Sequence, residues 1–170
     1  STGAARLSAM AGLKSGAGLV TMVSRPSATM VLASHLTAIM QRTIRDEAEL
    51  QAWLSDRRLS AFVIGPGFGD PETARSYCEQ LAATGRPVVL DADGLSAFAG
   101  TPEKLAALFE GGTRLVMTPH EGEFRRLFGS LSDDPALSKI DRARAAAKHH
   151  NAVMVYKGAD TVIAAPDGRA

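Results

Sequence analysis

Two spacings of apolar residues run along the chain. Residues 4–14 set Leu7, Met10, Ala11 and Lys14 three and four apart in an alanine-rich run. That spacing predicts a helix, stopped by Gly16 and Gly18. Residues 19–23 are apolar and β-branched and predict a strand. A helix follows Pro26, with Ser27 as its candidate cap, and another covers residues 47–54. Residues 61–64 are an apolar strand ended by Gly65-Pro66-Gly67-Phe68-Gly69. Residues 71–83 predict a helix with proline at its start and Gly85 past its end. Residues 87–90 form a strand, and Thr101-Pro102-Glu103 opens a helix with Thr101 as cap. A strand at 115–117, a helix at 121–128, a basic helix at 138–151 and strands at 152–156 and 161–165 complete the series. Residues 130–135 are polar and turn-rich. Pro166-Asp167-Gly168 is a hairpin turn. It needs a returning strand, yet only Arg169 and Ala170 follow, so either the last strand is unpaired or the sheet continues outside this stretch of sequence.

The strands are continuous apolar runs, as in sheets covered on both faces. With helices between them, they predict an α/β fold: a mostly parallel sheet flanked by helices on both faces. At 170 residues the chain suits one domain, 1–170. The 19 Lys and Arg nearly balance the 18 Asp and Glu. That balance argues against a nucleic-acid surface or a polybasic membrane patch. No apolar run reaches the roughly 18 residues of a membrane span. The lone cysteine, Cys78, excludes an internal disulfide framework and fits a reducing compartment. It lies within a helix with no adjacent base, which predicts core packing. His149 and His150 are expected at the surface.

Ligands of parallel sheets sit outside the carboxyl ends of the strands, so the residues just after each strand matter most. Gly65-Pro66-Gly67 lets backbone approach an anion, though by itself it slightly favours a plain tight strand-to-helix turn. Asp91-Ala92-Asp93 can hold Mg²⁺ or a sugar hydroxyl, or cap the following turn. Thr118-Pro119-His120-Glu121-Gly122-Glu123 puts a histidine and two acids at a helix start, where anions are attracted. A capping box there explains the acids but not the histidine, so a ligand contact is favoured. Lys157-Gly158-Ala159-Asp160-Thr161 offers a cation and free backbone donors, without Walker-loop spacing, and by itself reads as a turn.

Taken in order, these pieces resemble the ADP/ATP-dependent NAD(P)H-hydrate dehydratases of the ribokinase-like superfamily. The landmarks are Gly3-Ala4-Ala5, Ser15-Gly16-Ala17-Gly18, Ile64-Gly65-Pro66-Gly67, Leu90-Asp91-Ala92-Asp93, Thr118-Pro119-His120-Glu121-Gly122-Glu123 and Lys157-Gly158-Ala159-Asp160-Thr161. The family's Asp-Ala-Asp-Ala-Leu-Asn reads here as Asp91-Ala92-Asp93-Gly94-Leu95-Ser96. The resemblance implies a three-layer α/β/α ribokinase-like fold, incomplete at both ends. It implies a hydro-lyase of metabolite repair that phosphorylates the hydrate's hydroxyl from ADP or ATP with Mg²⁺. Loss of phosphate then restores NADH or NADPH. By the same resemblance Ala5, Gly67 and His120 contact the hydrated nicotinamide nucleotide. Lys157, Gly158, Ala159, Asp160 and Thr161 contact the adenosine nucleotide. Asp91, Asp93 and Glu123 are candidate Mg²⁺ or water-network residues, none firmly assigned. The acid expected as base belongs to a Gly-[Ser/Thr]-Gly-Asp motif beyond Ala170, so this stretch alone is expected to be inactive. The resemblance also implies a cytoplasmic homo-oligomer, compatible with an epimerase domain fused ahead of it. Two alternatives stay open: a kinase of a small alcohol such as hydroxymethylpyrimidine or hydroxyethylthiazole, and a non-catalytic nucleotide-binding module.

Overall fold

The structure, a computed structural model, describes residues 2–110 and 115–170. It divides into two compact units, Ser1–Asp56 and Arg57–Ala170. The first contains helix α1 (Thr2–Lys14), strand β1 (Thr21–Ser24), α2 (Pro26–Ala33), β2 (Met40–Thr43) and α3 (Glu47–Leu54). β1 and β2 pair in parallel. Met22, Leu32 and Ile39 form a small core, against which Ala5, Ala9 and Leu13 of α1 pack. Asp46 caps α3 by accepting from the Glu49 N–H at 2.8 Å. The expected cap Ser27 lies inside α2: Arg25 is the N-cap, with no side-chain cap bond, and Pro26 starts the helix. Proline suits that position because its missing N–H has no partner to lose there.

The second unit runs β3 (Phe62–Ile64), α4 (Pro71–Ala83), β4 (Val88–Leu90), α5 (Ala92–Ser96), α6 (Pro102–Leu108), β5 (Leu115–Met117), α7 (Glu121–Leu127), α8 (Gly129–Ser132), α9 (Lys139–His149), β6 (Ala152–Tyr156) and β7 (Val162–Ala164). Its sheet has the order β3-β4-β5-β6-β7. The first four strands are parallel, and β7 returns antiparallel to β6. The expected mostly parallel sheet with intervening helices is therefore present. Parallel strands need crossover connections, and the intervening helices supply them. Burial alternates along the strands. Phe62, Val88, Leu115 and Ala152 share one register row, and Ile64, Leu90, Met117 and Met154 the next; all eight are buried. The intervening row, Val63, Val89, Val116 and Val153, is exposed or half-buried. Hydropathy alone conceals this alternation, because valine occupies the more open face.

Asp70 caps α4, accepting from Thr73, and Cys78 is fully buried in that helix as expected. Burial pushes its thiol up to about 12, so it is an inert core group. Asn151, at φ 46°, ends α9 in the left-handed conformation that asparagine tolerates. Beyond β7 the chain turns at Pro166-Asp167-Gly168, and the Ala165 N–H donates to the Arg169 carbonyl at 2.9 Å. No helix among the described residues is long and apolar enough to cross a membrane.

The expectation for His150 is corrected. It is 3% exposed and packs edge-on against Phe128. Its Nε2 lies 3.1 Å from the Pro102 carbonyl, which can only accept, so Nε2 carries the proton. In the neutral ring Nδ1 then accepts from His149 Nδ1 at 3.3 Å. Burial depresses the His150 pKa below its ordinary 6.5, against the opposing pull of the Pro102 carbonyl. A histidine with a lowered folded pKa gives stability that is complete above its unfolded value and fades as pH falls through the folded one. The thermal midpoint should therefore drop between roughly pH 7 and pH 5, and His150→Gln should flatten that slope. Melting curves of both proteins across that range check this; equal slopes would refute it.

Candidate functional site

Four loops meet at the carboxyl ends of β3, β4, β5 and β6: Gly65-Pro66-Gly67, Asp91-Ala92-Asp93, Thr118-Pro119-His120 and Lys157-Gly158. Their arrangement begins with backbone. Gly65 has φ 123°, and a Cβ there would land on the Asp91 carbonyl oxygen. A Cβ on Gly94 would sit 2.9 Å from the Ile64 carbonyl, so neither glycine has room to grow. The first turn of α5 is thereby pressed against the end of β3. Asp93 Oδ2 accepts from the Gly69 N–H at 2.9 Å, which fixes the far end of the glycine loop. Ala92, between the two acids, has φ 45°. A non-glycine residue held there stores about 1–3 kcal/mol of strain, as residues at functional loops often do.

Asp91 ties three strand ends together. Its Oδ1 accepts from the Thr118 hydroxyl at 2.7 Å and from Lys157 Nζ at 2.8 Å. Burial by itself would raise the Asp91 carboxyl, but the bonds from Lys157 and Thr118 outweigh it and hold the acid below its ordinary range. Lys157 also donates its backbone N–H to the Pro119 carbonyl at 2.8 Å, and the Thr118 N–H donates to the Leu90 carbonyl at 3.1 Å. Tyr156 stacks on Phe124 with ring centroids 4.1 Å apart and donates its hydroxyl to Glu121 Oε2 at 2.6 Å. This contact fastens α7 to β6.

His120 is the N-cap of α7. Its Nδ1 accepts from the Gly122 N–H at 3.0 Å and the Glu123 N–H at 3.3 Å, while Glu123 Oε2 accepts from the His120 N–H at 2.8 Å. The histidine is thus itself part of the capping box that was expected to leave it unexplained. Nδ1 carries no proton in this arrangement; Nε2 lies 3.4 Å from Glu123 Oε1. The ring still offers 54% of its surface to solvent. Glu123, buried, is engaged in the cap rather than set facing a metal. No three His, Cys, Asp or Glu side chains converge on a cation position among the described residues.

Gly67, at φ 73°, lies in the glycine loop. Gly158, Ala159, Asp160 and Thr161 are exposed, and the Thr161 hydroxyl donates to the Gly158 carbonyl at 3.3 Å. Ala5 belongs to the first unit, half-buried on α1. Sequence reasoning missed the partnership of Asp91 with Lys157, 66 residues apart, because no local spacing reports it.

Residues 1–170 match the family model described as NAD(P)H-hydrate dehydratase. The bifunctional NAD(P)H-hydrate repair enzyme of Moorella thermoacetica is 36% identical over 178 residues, covering 99% of this chain and 33% of that protein. The enzyme of the same name from Escherichia coli is 31% identical over 168 residues, covering 97% of this chain and 30% of its own length. The chain thus spans about a third of these relatives. The solved ADP/ATP-dependent NAD(P)H-hydrate dehydratase of Bacillus subtilis, co-crystallised with ATP and Mg²⁺ and soaked with CoA, superposes with a TM-score of 0.76. It is 27% identical and is matched over 98% of this chain and 58% of its own. A ribokinase-like protein from Enterococcus faecalis, 20% identical with a TM-score of 0.74, shows the same fold.

Because Gly65 meets fixed backbone and has a positive φ, Gly65→Ala should cost about 3 kcal/mol or more. Denaturant unfolding of the native protein and the variant measures this; a loss below about 1 kcal/mol would show that the loop simply moves aside.

Proposed function

The chain belongs to the NAD(P)H-hydrate dehydratase family, and from that membership we propose that it forms part of the catalytic domain of an ADP- or ATP-dependent NAD(P)H-hydrate dehydratase. In this reading the hydroxyl of hydrated NADH or NADPH takes a phosphoryl group from the nucleotide and gives up its proton. The C–O bond then breaks with its electron pair leaving on phosphate, a neighbouring ring C–H passes its proton to solvent, and the C–H electron pair becomes the restored ring double bond. With ADP the products are the repaired cofactor, AMP and phosphate. Phosphorylation serves because hydroxide leaves poorly and phosphate well.

The observation that carries the reading is the Asp91–Lys157–Thr118 knot at the ends of β4, β5 and β6, with the glycine loop beside it. It holds one ammonium group at the strand ends, where an anionic ligand of a parallel sheet binds. Lys157, Gly158, Ala159, Asp160 and Thr161 contact the adenosine nucleotide; Gly67 and His120 contact the hydrated nicotinamide nucleotide. The support is the exposure of residues 158–161 and of the His120 ring. Asp91, Asp93 and Glu123 are each engaged by protein donors, and among the described residues no three acids or histidines converge on a cation position. The residues' work is therefore positioning and charge. A cytoplasmic homo-oligomer completes the reading, with a fused epimerase domain supported by relatives named as bifunctional.

Recovery of NADH from its hydrate with ADP, by the intact native protein, tests the activity. Turnover of hydroxymethylpyrimidine or hydroxyethylthiazole with ATP, and none of the hydrate, would favour the kinase alternative. Binding of nucleotide with no turnover of either would favour the non-catalytic module. His120 needs two variants because it is also a cap. His120→Ala loses both roles, including about 1 kcal/mol of helix stability. His120→Asn keeps a good cap and loses the ring. It should lower kcat/KM for the hydrate about ten- to a hundredfold with little change in melting. Unchanged kcat/KM would leave His120 a cap alone.

A further inference from the structure

One lysine outside every motif discussed above sits on the segment assigned to the nucleotide. Lys139 opens α9, directly after its cap Ser138. Its Nζ donates to the Asp160 carbonyl at 2.5 Å and to Asp160 Oδ1 at 3.0 Å. It also lies 4.7 Å from the centre of the Tyr156 ring, within cation–π range. Its side chain is 20% exposed, whereas that of Asp160 is 80% exposed. The lysine is thus the held partner and the aspartate the open one. The Lys139 bond holds the Asp160 carboxyl below its ordinary range.

The same ammonium explains Gly158. The sequence invites the view that Gly158 is needed for a backbone conformation closed to other residues. The structure gives it no positive φ. Instead, a Cβ there would stand 2.5 Å from Lys139 Nζ. A side chain at 158 would therefore have to displace the lysine that braces the turn.

We propose that Lys139 is a positioning residue for the adenosine nucleotide, bracing residues 157–161 through Asp160 and Tyr156 in the shape that the nucleotide meets. The inference rests on the assignment of that segment to the nucleotide. It gives Gly158 a definite role: glycine is the residue that leaves the ammonium in place. The step is one of pre-organisation, since a turn already held in shape loses less freedom on binding.

The test is calorimetric titration of ADP into the intact native protein and its variants, with melting curves alongside. Lys139→Met removes the charge and keeps most of the length. It should weaken ADP binding about three- to tenfold, while Lys139→Arg restores part of the loss. Gly158→Ala should weaken binding in the native background and do so far less beside Lys139→Met, because the displaced group is already gone. Should Lys139→Met not fold, Asp160→Asn supplies the measurement: it removes the carboxylate contact at an exposed site and should weaken ADP binding about two- to threefold. Native affinity in Lys139→Met, or in Asp160→Asn where that variant is used, overturns the proposal. Equal Gly158→Ala penalties in both backgrounds do the same. Lys157→Met separates the two levels. If it weakens ADP binding while Lys139→Met does not, only the role of Lys139 fails. If neither changes affinity, the assignment of the segment to the nucleotide fails with it.

Discussion

Oδ1 of Asp91 receives a hydroxyl from one neighbouring strand end and an ammonium from the next but one. Hydrogen-bonded main chain already joins β4, β5 and β6, so this contact adds little to the sheet as a sheet. A half-exposed ion pair of this kind contributes roughly 0–1 kcal/mol. Its consequence is positional. Without Asp91 the Lys157 side chain has four rotatable bonds and open solvent to explore. With it, the charge is confined beside Thr118, one residue past β5. The carboxylate is itself placed by the meeting of Gly65 with the Asp91 backbone, a contact with no slack. Main-chain packing fixes the acid, the acid fixes the lysine, and the lysine's own N–H, bonded to the Pro119 carbonyl, fixes the loop that carries His120.

That dependence explains why the site lies on such short elements. β3, β4 and β5 are three residues each, and α5 is five. A five-residue helix is not stable through its own bonds, since nucleation alone is unfavourable. Leu95 and Gly94 are buried, and the turn stays helical because those contacts hold it there. The strain at Ala92 is carried by the same contacts.

The elements with strong local punctuation were legible in the sequence. α3 and α4 match residue for residue, each preceded by an aspartate cap, and β5 and β6 match as compact apolar runs. β2 was not legible: Met40-Gln41-Arg42-Thr43 is mostly polar and is a strand only because β1 pairs with it. α5 was hidden by its glycine and by Ala92. α8 was hidden in a segment whose serines and aspartates read as turn. The four site loops were legible because glycine, proline and acids cluster after apolar runs. What joins them was not, since Asp91 with Lys157 and Lys139 with Asp160 are pairings across the sheet and from helix to turn. His150 misled for a related reason: one residue past a basic helix looks like surface, yet as the cap of α9 this residue is buried.

Gly65 and Gly158 show how one residue type can answer two different constraints in one site. At Gly65 the obstacle is the main chain of a neighbouring turn, and the backbone angle itself favours glycine. Nothing nearby can yield without moving β3 against α5, so the constraint belongs to the fold. At Gly158 the angle is ordinary and the obstacle is the tip of a lysine. A side-chain ammonium can swing away at the cost of its two bonds to Asp160 and its place over Tyr156, so that constraint belongs to the shape of one turn. The sequence writes both as a glycine after a strand. Only the identity of the neighbouring atoms separates a position that holds the molecule together from one that shapes a surface for a ligand.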